Sequence, residues 1–257
     1  MYRKLLPWHI DQKNHSVCIK EVENQILQSK SFTLLNWNVH KNNHSQKWLH
    51  DFGEILQHHE PDFIAFQEYK TKSKRSILDS RKEYGYGFFP NIGLQREDYG
   101  LINASTCKIE EFNPIFSEHV EPLIKTPKVS FFTQYKLQNG ENLTLINTHM
   151  INFVQNKKYL SQIKQLEKLC KGHDRLILTG DFNTWSTKRM HILRQMVKEL
   201  GLVQVEFEKN HNKRSYMSHP LDHVFYKGLK PTHTQILNQI KTSDHKPMIV
   251  KFSLENI

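Results

Sequence analysis

The sequence RLILTGDFN at residues 175–183 joins a short apolar run to a glycine, an aspartate and an asparagine. An apolar run of this length, bounded by a turn residue, predicts a buried strand. Asp181 and Asn183 follow the run directly, so a rigid core element would carry both polar side chains to one rim of the fold. Taken alone, the tetrapeptide GDFN is equally typical of an ordinary turn.

The same arrangement recurs at three other apolar runs: Asn38 lies near the end of FTLLNWNV, Glu68 follows DFIAFQ, and His149 follows LTLINT. Each signal is weak alone, since a glutamate after a strand is usually solvated surface. Because all of these polar positions lie beside apolar strands, we predict that they converge on one site.

Two short acidic motifs occur in the last quarter of the chain. Asp222 lies in LDH at 221–223, just before the apolar part of a predicted strand, and Asp244 and His245 lie in SDH. We expect Asp222 to orient the ring of His245, as carboxylates orient catalytic imidazoles. The alternative for SDH is a helix cap or a loop with a surface histidine.

These residue types suit the hydrolysis of a phosphate ester, whose transition state is highly anionic and needs a divalent cation and several donors. Mg²⁺ takes oxygen ligands, commonly one or two carboxylates together with waters. The carboxylates of Glu68 and Asp244 suit that role, and the side-chain carbonyl of Asn38 is a neutral third oxygen.

The remaining candidates would act on the substrate itself. Imidazoles donate to phosphoryl oxygens or transfer protons near neutral pH, which predicts such roles for His149 and His245. Asp181 would hold or deprotonate the attacking water, and Asn183 would donate to the phosphate.

Apolar runs and amphipathic helical segments alternate along the chain. Ser45 is predicted to cap a helix with apolar residues at helical spacing, and Asn139-Gly140 predicts the turn of a hairpin. The other predicted elements are a basic helix at 70–82, short strands within 86–107, hairpin strands at 128–137 and 142–148, helices at 156–171 and 187–200, and strands in LVQVEF, DHVFY and PMIVKF.

No repeat or compositional break divides the 257 residues. We expect an irregular lead-in at 1–30 and a single α/β domain at 31–257. Sheets with a helix layer on each outer side would accommodate both the apolar strands and the amphipathic helices.

The formal charge is +10, with 36 Lys and Arg against 26 Asp and Glu, which favours encounter with nucleic acid or an anionic membrane surface. No apolar run reaches the roughly 18–20 residues of a membrane span, and the N-terminus lacks the apolar core of an export signal. Three cysteines without a C-x-x-C pair indicate a reducing compartment, with Cys107 and Cys170 packed as small apolar residues. We therefore expect a soluble cytoplasmic protein without stable membrane insertion. Its oligomeric state is left open.

Taken together, the motifs resemble those of the endonuclease/exonuclease/phosphatase superfamily, which includes pancreatic deoxyribonuclease, apurinic/apyrimidinic endonucleases, neutral sphingomyelinases and inositol phosphatases. They occur in the family's order and span residues 36–247: WNV around Asn38, QE at 67–68, NTH at 147–149, GDFN at 180–183, LDH at 221–223 and SDH at 243–245. The stretches NTHMINF, GDFNTWSTKRM, LDHVFYKGL and SDHKP are most similar to the bacterial YafD-like branch.

The resemblance implies a four-layered α/β/β/α sandwich of two packed mixed sheets, and Mg²⁺ or Mn²⁺ at Glu68 with Asn38 and Asp244 nearby. It also implies that His245 pairs with Asp222 and that His149 faces the scissile phosphate. His40 departs from the pattern, since several nucleases of the superfamily have an acidic residue there, and the number of metal ions is therefore open.

The substrate is open between several hypotheses. A nuclease for DNA or RNA would use the basic segments Lys70–Arg75 and Lys209–Arg214 for backbone phosphates and Trp185 for stacking on a base. The alternatives for these features are a solvated helix face, a surface loop and an anchor for the following helix.

A phosphodiesterase or phosphatase for a lipid or small phosphate ester would use the apolar stretch Met150–Val154, unless this is a buried segment leading into the helix. A third hypothesis is a family member that binds without cutting. It is disfavoured because the carboxylates and the two histidines are intact.

Overall fold

The computed structural model describes residues 8–9, 17–94, 96–122, 125–207, 215–216 and 219–254. The strands are β1 (Trp8–His9), β2 (Cys18–Lys20), β3 (Ser31–Asn38), β4 (Phe63–Lys72), β5 (Gly85–Leu94), β6 (Glu97–Ser105), β7 (Ile109–Val120), β8 (Pro127–Lys136), β9 (Asn142–His149), β10 (Leu176–Asp181), β11 (Val203–Gln204), β12 (Ser215–Tyr216), β13 (His219–Pro220), β14 (Asp222–Lys227), β15 (Lys230–Ile236) and β16 (Met248–Ser253). The helices are α1 (Gln46–His59), α2 (Asn156–Cys170) and α3 (Thr187–Glu199), with a 3-10 helix at Ile77–Ser80.

The strands form two main mixed sheets and a small ribbon. The first sheet has the order β1-β5-β6-β4-β3-β16-β15, with β2 also paired to β5, and the second has the order β11-β14-β10-β9-β8-β7. Each main sheet has one parallel pair, β3 with β4 and β9 with β10. The ribbon is β12 with β13. The short strands β1 and β2 come from the predicted lead-in, and the domain boundary at residue 30 stays a prediction.

The layers follow from four apolar clusters among the described residues. Leu34 and Phe63 of the first sheet pack against Leu145 and Ile177 of the second, so the first cluster lies between the sheets. Burial of each such side chain stabilises the fold by roughly 1.5–3 kcal/mol relative to exposure. The predicted four-layered sandwich is confirmed, because the outer faces of both sheets are covered by helices.

The first sheet is covered by α1. Ser45 caps this helix through a 3.2 Å hydrogen bond from the Trp48 backbone N–H, as predicted. The rings of Trp37 and Trp48 stack with their centroids 5.1 Å apart, which anchors the helix to β3. On the other side of the molecule, α2 and α3 bury Ile163 and Leu193 against the second sheet.

The cysteines follow the sequence prediction. Cys107 lies in the cluster between the sheets and Cys170 in the cluster under α2, and both are buried. Within the described ranges, no helix combines the length and the apolar character that crossing a bilayer requires.

The predicted basic helix at 70–82 is wrong. Instead, β4 continues to Lys72, because Tyr69 and Thr71 alternate into the core with the period of a strand. Only Ile77–Ser80 is helical, as a 3-10 turn capped by Ser76.

Two other strand predictions differ in length from the observed strands, and two edge strands were missed. The region 86–107 forms the long strands β5 and β6 rather than short ones, and LVQVEF contributes only the two residues of β11. The strands β7 and β15 were not predicted. Both lie at sheet edges and expose much of their length, so neither carries an apolar pattern.

A bridge of buried amides joins the two sheets beside the strand ends. Gln67 Nε2 donates to Asn36 Oδ1 at 2.9 Å and to Asn147 Oδ1 at 2.7 Å. Asn147 Nδ2 in turn donates to the carbonyl oxygens of Phe66 (3.0 Å) and Ile102 (3.2 Å). Because a buried amide must find polar partners, this network fixes how the sheets sit against each other.

We expect Gln67→Leu to lower the free energy of unfolding by about 2 kcal/mol, because it leaves the side-chain oxygens of Asn36 and Asn147 buried without a donor. Urea denaturation measures the change. The control is Gln195→Leu on the exposed face of α3, where a change within about 0.5 kcal/mol is expected. Equal effects of the two substitutions would contradict a structural role for the bridge.

Candidate active site

Strand register places three of the predicted residues side by side. In the second sheet Asp181 pairs with His149 across the parallel ladder and with Asp222 across the antiparallel one. Gly180 makes this possible: at φ +139° its Cα lies so near β9 that an added Cβ would lie 1.9 Å from the Thr148 carbonyl oxygen. The glycine of the GDFN motif is therefore required for close strand approach.

Asn38 connects the first sheet to this row. It ends β3, is buried, and donates from Nδ2 to Asp181 Oδ2 at 3.1 Å. Its backbone carbonyl accepts a 2.7 Å hydrogen bond from Ser243 Oγ, which fixes the loop carrying Asp244 and His245.

Glu68 lies within β4 rather than after the strand. The β4–β6 register shifts between Phe66 and Tyr69, and Glu68 occupies this bulge with φ +51°. Bulges redirect single side chains and are common beside active sites. Here the carboxylate is turned into a cleft between the sheets, where its Oε2 lies 3.4 Å from Lys41 Nζ.

The charges around Glu68 keep it ionised. Burial alone would raise the pKa of this carboxyl, but His149, which is protonated in the acidic range where Glu68 titrates, outweighs burial together with Lys128 and Lys41 and lowers the pKa to about 2. The group is therefore a carboxylate throughout the physiological range.

His245 and Asp222 form the predicted pair. His245 Nδ1 lies 2.6 Å from Asp222 Oδ2, and both side chains are buried. The other ring nitrogen, Nε2, lies 3.7 Å from Asp181 Oδ2 and 4.0 Å from Asp244 Oδ1. The pair thus directs one imidazole nitrogen toward the other acidic groups of the site.

His149 lies beside the same aspartate, Asp181, on the neighbouring strand β9. Its Nε2 lies 3.5 Å from Asp181 Oδ2. Burial, reinforced by the charge of Lys128, lowers the pKa of His149 to about 4. The imidazole is therefore neutral at pH 7 and can both donate and accept a hydrogen bond.

Asn183 and Asp244 differ in solvent exposure. Asn183 is buried, donates from its backbone N–H to Asp181 Oδ1 at 3.0 Å and from Nδ2 to the Met150 carbonyl at 2.8 Å. The Asp244 side chain is 40% exposed at the rim, with His40 Nδ1 3.4 Å from its Oδ1. His40, the departure noted in the sequence, therefore lies beside the acidic groups.

The cleft also contains charged residues that the sequence did not single out, among them Lys128 and Glu121. It has a volume of about 320 Å³, and its lining also includes Asn152 and Phe153 of the stretch Met150–Val154 and five predicted site residues: Glu68, His149, Asp181, Asn183 and His245. The predicted residues Asn38, Asp222 and Asp244 are not among the lining residues. Lys128 Nζ lies 3.5 Å from Glu121 Oε2, and both side chains are about nine-tenths buried. In the sequence, Lys128 is visible only as a lysine at the start of the apolar stretch PKVSFF. The sequence does not show toward which face of the sheet its side chain points.

The comparisons agree with this geometry. The sequence profile of the Endonuclease/Exonuclease/phosphatase family matches residues 35–245. The chain belongs to this family. Members of the Endonuclease/Exonuclease/phosphatase family are phosphoesterases that act on nucleic acids or other substrates.

A UPF0294 protein of Vibrio parahaemolyticus is 41% identical over 229 residues, which cover 87% of this chain and 78% of the relative. The UPF0294 proteins are YafD-like, so the predicted branch of the Endonuclease/Exonuclease/phosphatase family is confirmed.

Two solved structures share the fold at low identity. The human Nocturnin catalytic domain with bound sulfate anion has a TM-score of 0.66 at 16% identity, with 96% of this chain and 100% of that chain covered. A 3′ phosphatase from Neisseria bound to a product DNA hairpin has a TM-score of 0.59 at 14% identity, with 86% and 99% covered. These similarities show that the chain shares the fold of the two solved structures.

Two sets of residues offer ligands for a cation. The ligand atoms of Asp181, Asp222 and His245 all lie within 4.8 Å of one another. However, the 2.6 Å contact between Asp222 and His245 already uses a ligand atom of each, and hard cations such as Mg²⁺ prefer oxygen to imidazole nitrogen. The predicted set of Glu68, Asp244 and Asn38 offers oxygen ligands, of which Glu68 is ionised and Asn38 Oδ1 also accepts a 3.0 Å hydrogen bond from the His40 backbone N–H.

We expect the protein, treated with EDTA, to lose stability as the pH falls from about 6.5 to 4. In this window His149 binds a proton in the unfolded chain but not in the native one, so its contribution is complete above pH 6.5 and lost toward pH 4. The full loss is about 3 kcal/mol for a shift of this size. Urea midpoints measured across the window should vary less in His149→Gln, and an unchanged pH dependence in that variant would contradict the assignment.

Proposed function

We propose that the protein is a Mg²⁺- or Mn²⁺-dependent phosphodiesterase that hydrolyses DNA or RNA. The observation that supports this proposal is the convergence of two imidazoles, His149 and His245, on Asp181 within the cleft that also holds the Glu68 carboxylate. This convergence supports the proposal because hydrolysis of a phosphate ester needs a group that activates the nucleophile, donors to the phosphate and a carboxylate for a cation within one cleft.

The residues of the second sheet have complementary roles. Asp181, oriented by hydrogen bonds from Asn38 and Asn183, accepts a proton from the attacking water. The water oxygen bonds to phosphorus as the ester P–O bond breaks, and the leaving oxygen takes a proton from solvent. Asn183 uses one amide N–H for the Met150 carbonyl and has its second N–H for a phosphoryl oxygen.

The two histidines bind the phosphate on either side of Asp181. His149, neutral at pH 7, donates to a non-bridging oxygen. His245 keeps its orientation through Asp222, so its Nε2 faces the same position. Asp222 therefore acts as a positioning residue for His245.

The cation site would consist of Glu68, Asp244 and Asn38. When bound there, Mg²⁺ or Mn²⁺ supplies neutralisation of the charge that develops on the phosphoryl oxygens. Lys41 Nζ lies 3.4 Å from Glu68 Oε2, and His40 Nδ1 lies 3.4 Å from Asp244 Oδ1.

Charge and burial support nucleic acid over lipid as the substrate. The chain carries a formal charge of +10, and Lys41 and Lys128 lie in the cleft itself. Met150 and Ile151, the start of the apolar stretch considered for lipid binding, are buried under α2. Of the two basic segments, Lys70–Arg75 forms the end of β4 and a turn, and Lys209–Arg214 lies outside the described residues.

We expect Glu68→Gln and Asp222→Asn each to lower kcat/KM by about 100-fold or more. The first substitution removes a carboxylate ligand and the second removes the charge that orients His245. The assay uses plasmid DNA, abasic oligonucleotide and RNA with Mg²⁺ or Mn²⁺, and EDTA should abolish turnover in the parent protein.

Glu110→Gln is the matched control, because Glu110 is exposed on strand β7 and lies 3.9 Å from Lys108 Nζ in a surface ion pair. Full activity of Glu68→Gln on every substrate would reject the proposed cation site. Turnover of sphingomyelin alone would reject the choice of nucleic acid.

Salt provides a separate test of the substrate class. Binding to a polyanion releases counterions, so kcat/KM for single-stranded DNA should fall at least about tenfold between 50 and 200 mM KCl. Hydrolysis of bis-p-nitrophenyl phosphate, which has a single charge, should change by less than about twofold. The same salt dependence for both substrates would contradict backbone recognition.

A further inference from the structure

Phe153 projects into solvent at the rim of the cleft, four residues after His149. Its side chain is 70% exposed, the largest exposed fraction among the exposed large apolar residues that the structure describes. Its backbone has φ +50°, a conformation that strains residues other than glycine, asparagine and aspartate. A strained, exposed phenyl beside a candidate active site indicates a functional constraint.

The polar contacts around Phe153 hold it in this conformation. Asn152 Oδ1 accepts a hydrogen bond from the Phe153 backbone N–H and another from Trp185 Nε1, both at 2.8 Å. The Asn152 backbone N–H donates to Glu121 Oε1 at 2.9 Å, and Glu121 in turn pairs with Lys128. The exposed ring is therefore carried by a rigid support.

Arg189 of α3 ties this support to the active site. Its guanidinium is fully buried and donates to the carbonyl oxygens of Ile151 (3.0 Å), Val154 (3.1 Å) and Asn183 (3.0 Å). It also lies 4.6 Å from the centroid of the Trp185 ring. Residues on both sides of Phe153 are thus fixed relative to Asn183, whose amide faces the proposed phosphate position.

The surroundings of Phe153 suit a nucleotide better than a lipid. Among the described residues that line the cleft, Trp185 and Leu221 are the only apolar ones besides Phe153, and Lys41 and Lys128 lie there paired with Glu68 and Glu121. A membrane anchor needs a contiguous apolar surface. A single aromatic face next to lysine side chains matches the alternation of base and phosphate in a single strand.

We propose that Phe153 is a stacking platform for the nucleobase that adjoins the scissile phosphate. This inference rests on the proposed nuclease function and narrows it. The base must be unpaired to expose its face to the ring, so the preferred substrate is single-stranded nucleic acid or an unpaired end. Phe153 is thereby a specificity-determining residue with no part in the bond-breaking step.

The proposal is tested by replacing Phe153 in the protein and the base in the substrate, separately and together. Two single-stranded oligonucleotides are compared that carry either a base or a tetrahydrofuran abasic residue beside the cleaved phosphate. We expect Phe153→Ala to lower kcat/KM on the base-containing strand by about 5- to 100-fold, the range for loss of one base–aromatic stack. On the abasic strand, parent and variant should be equal, and Phe153→Trp should retain the discrimination.

Phe112→Ala is the matched control, since Phe112 is a 44% exposed phenyl on β7 that does not line the cleft. It should behave like the parent protein on both strands. Thermal melting should show that Phe153→Asn is folded and at least as stable as the parent, because asparagine tolerates the left-handed conformation. Loss of base discrimination in this folded variant would support the proposal independently of Phe153→Ala.

Four results would overturn the inference. Equal losses on both strands in Phe153→Ala would mean that the ring does not contact the base. Weaker binding of that variant to vesicles of phosphatidylcholine and phosphatidylglycerol, with unchanged cleavage, would make Phe153 a membrane contact. Failure of the parent protein to cleave any oligonucleotide would refute the proposed nuclease function itself, whereas cleavage without base discrimination refutes only the stacking.

Discussion

The candidate site depends on strand register. His149, Asp181 and Asp222 are neighbours because three adjacent strands are aligned at one row of residues. A shift of one residue in either ladder would turn the partner's side chain to the opposite face. Gly180 protects this alignment, because only a residue without Cβ lets β10 lie so close to the Thr148 carbonyl.

Register within the second sheet is not sufficient to assemble the candidate site, because Asn38 and Glu68 belong to the first sheet. The buried amides of Gln67 and Asn147 join the sheets one residue before Glu68 and two residues before His149. An apolar contact would tolerate sliding between the sheets, whereas these hydrogen bonds have defined partners. The amide bridge therefore fixes the position of one sheet relative to the other.

Much of this arrangement was accessible from the sequence. The strands that carry Asn38, His149 and Asp181 are apolar enough to be recognised, and their polar ends mark one rim. The extension of β4 was not accessible, because Tyr69 and Thr71 alternate within a segment rich in lysine that resembles a solvated helix. Nor was the Glu121–Lys128 pair, since its two members meet only after β7 and β8 form a hairpin. The bulge at Glu68 leaves no mark in the sequence, as it results from pairing between β4 and β6.

The backbone around the cleft has a consequence for how this protein can adapt. Of the nine non-glycine residues with positive φ in the described part of the chain, five line the cleft: His40, Lys41, Glu68, Phe153 and Asn183. Elsewhere, replacement by glycine or asparagine relaxes such strain, although glycine also increases the conformational entropy of the unfolded chain. At Glu68 that route conflicts with the proposed function, because the side chain that strains the backbone is the proposed cation ligand. Gains in stability at this position would therefore cost the proposed activity, and they are expected instead in the helices and outer loops.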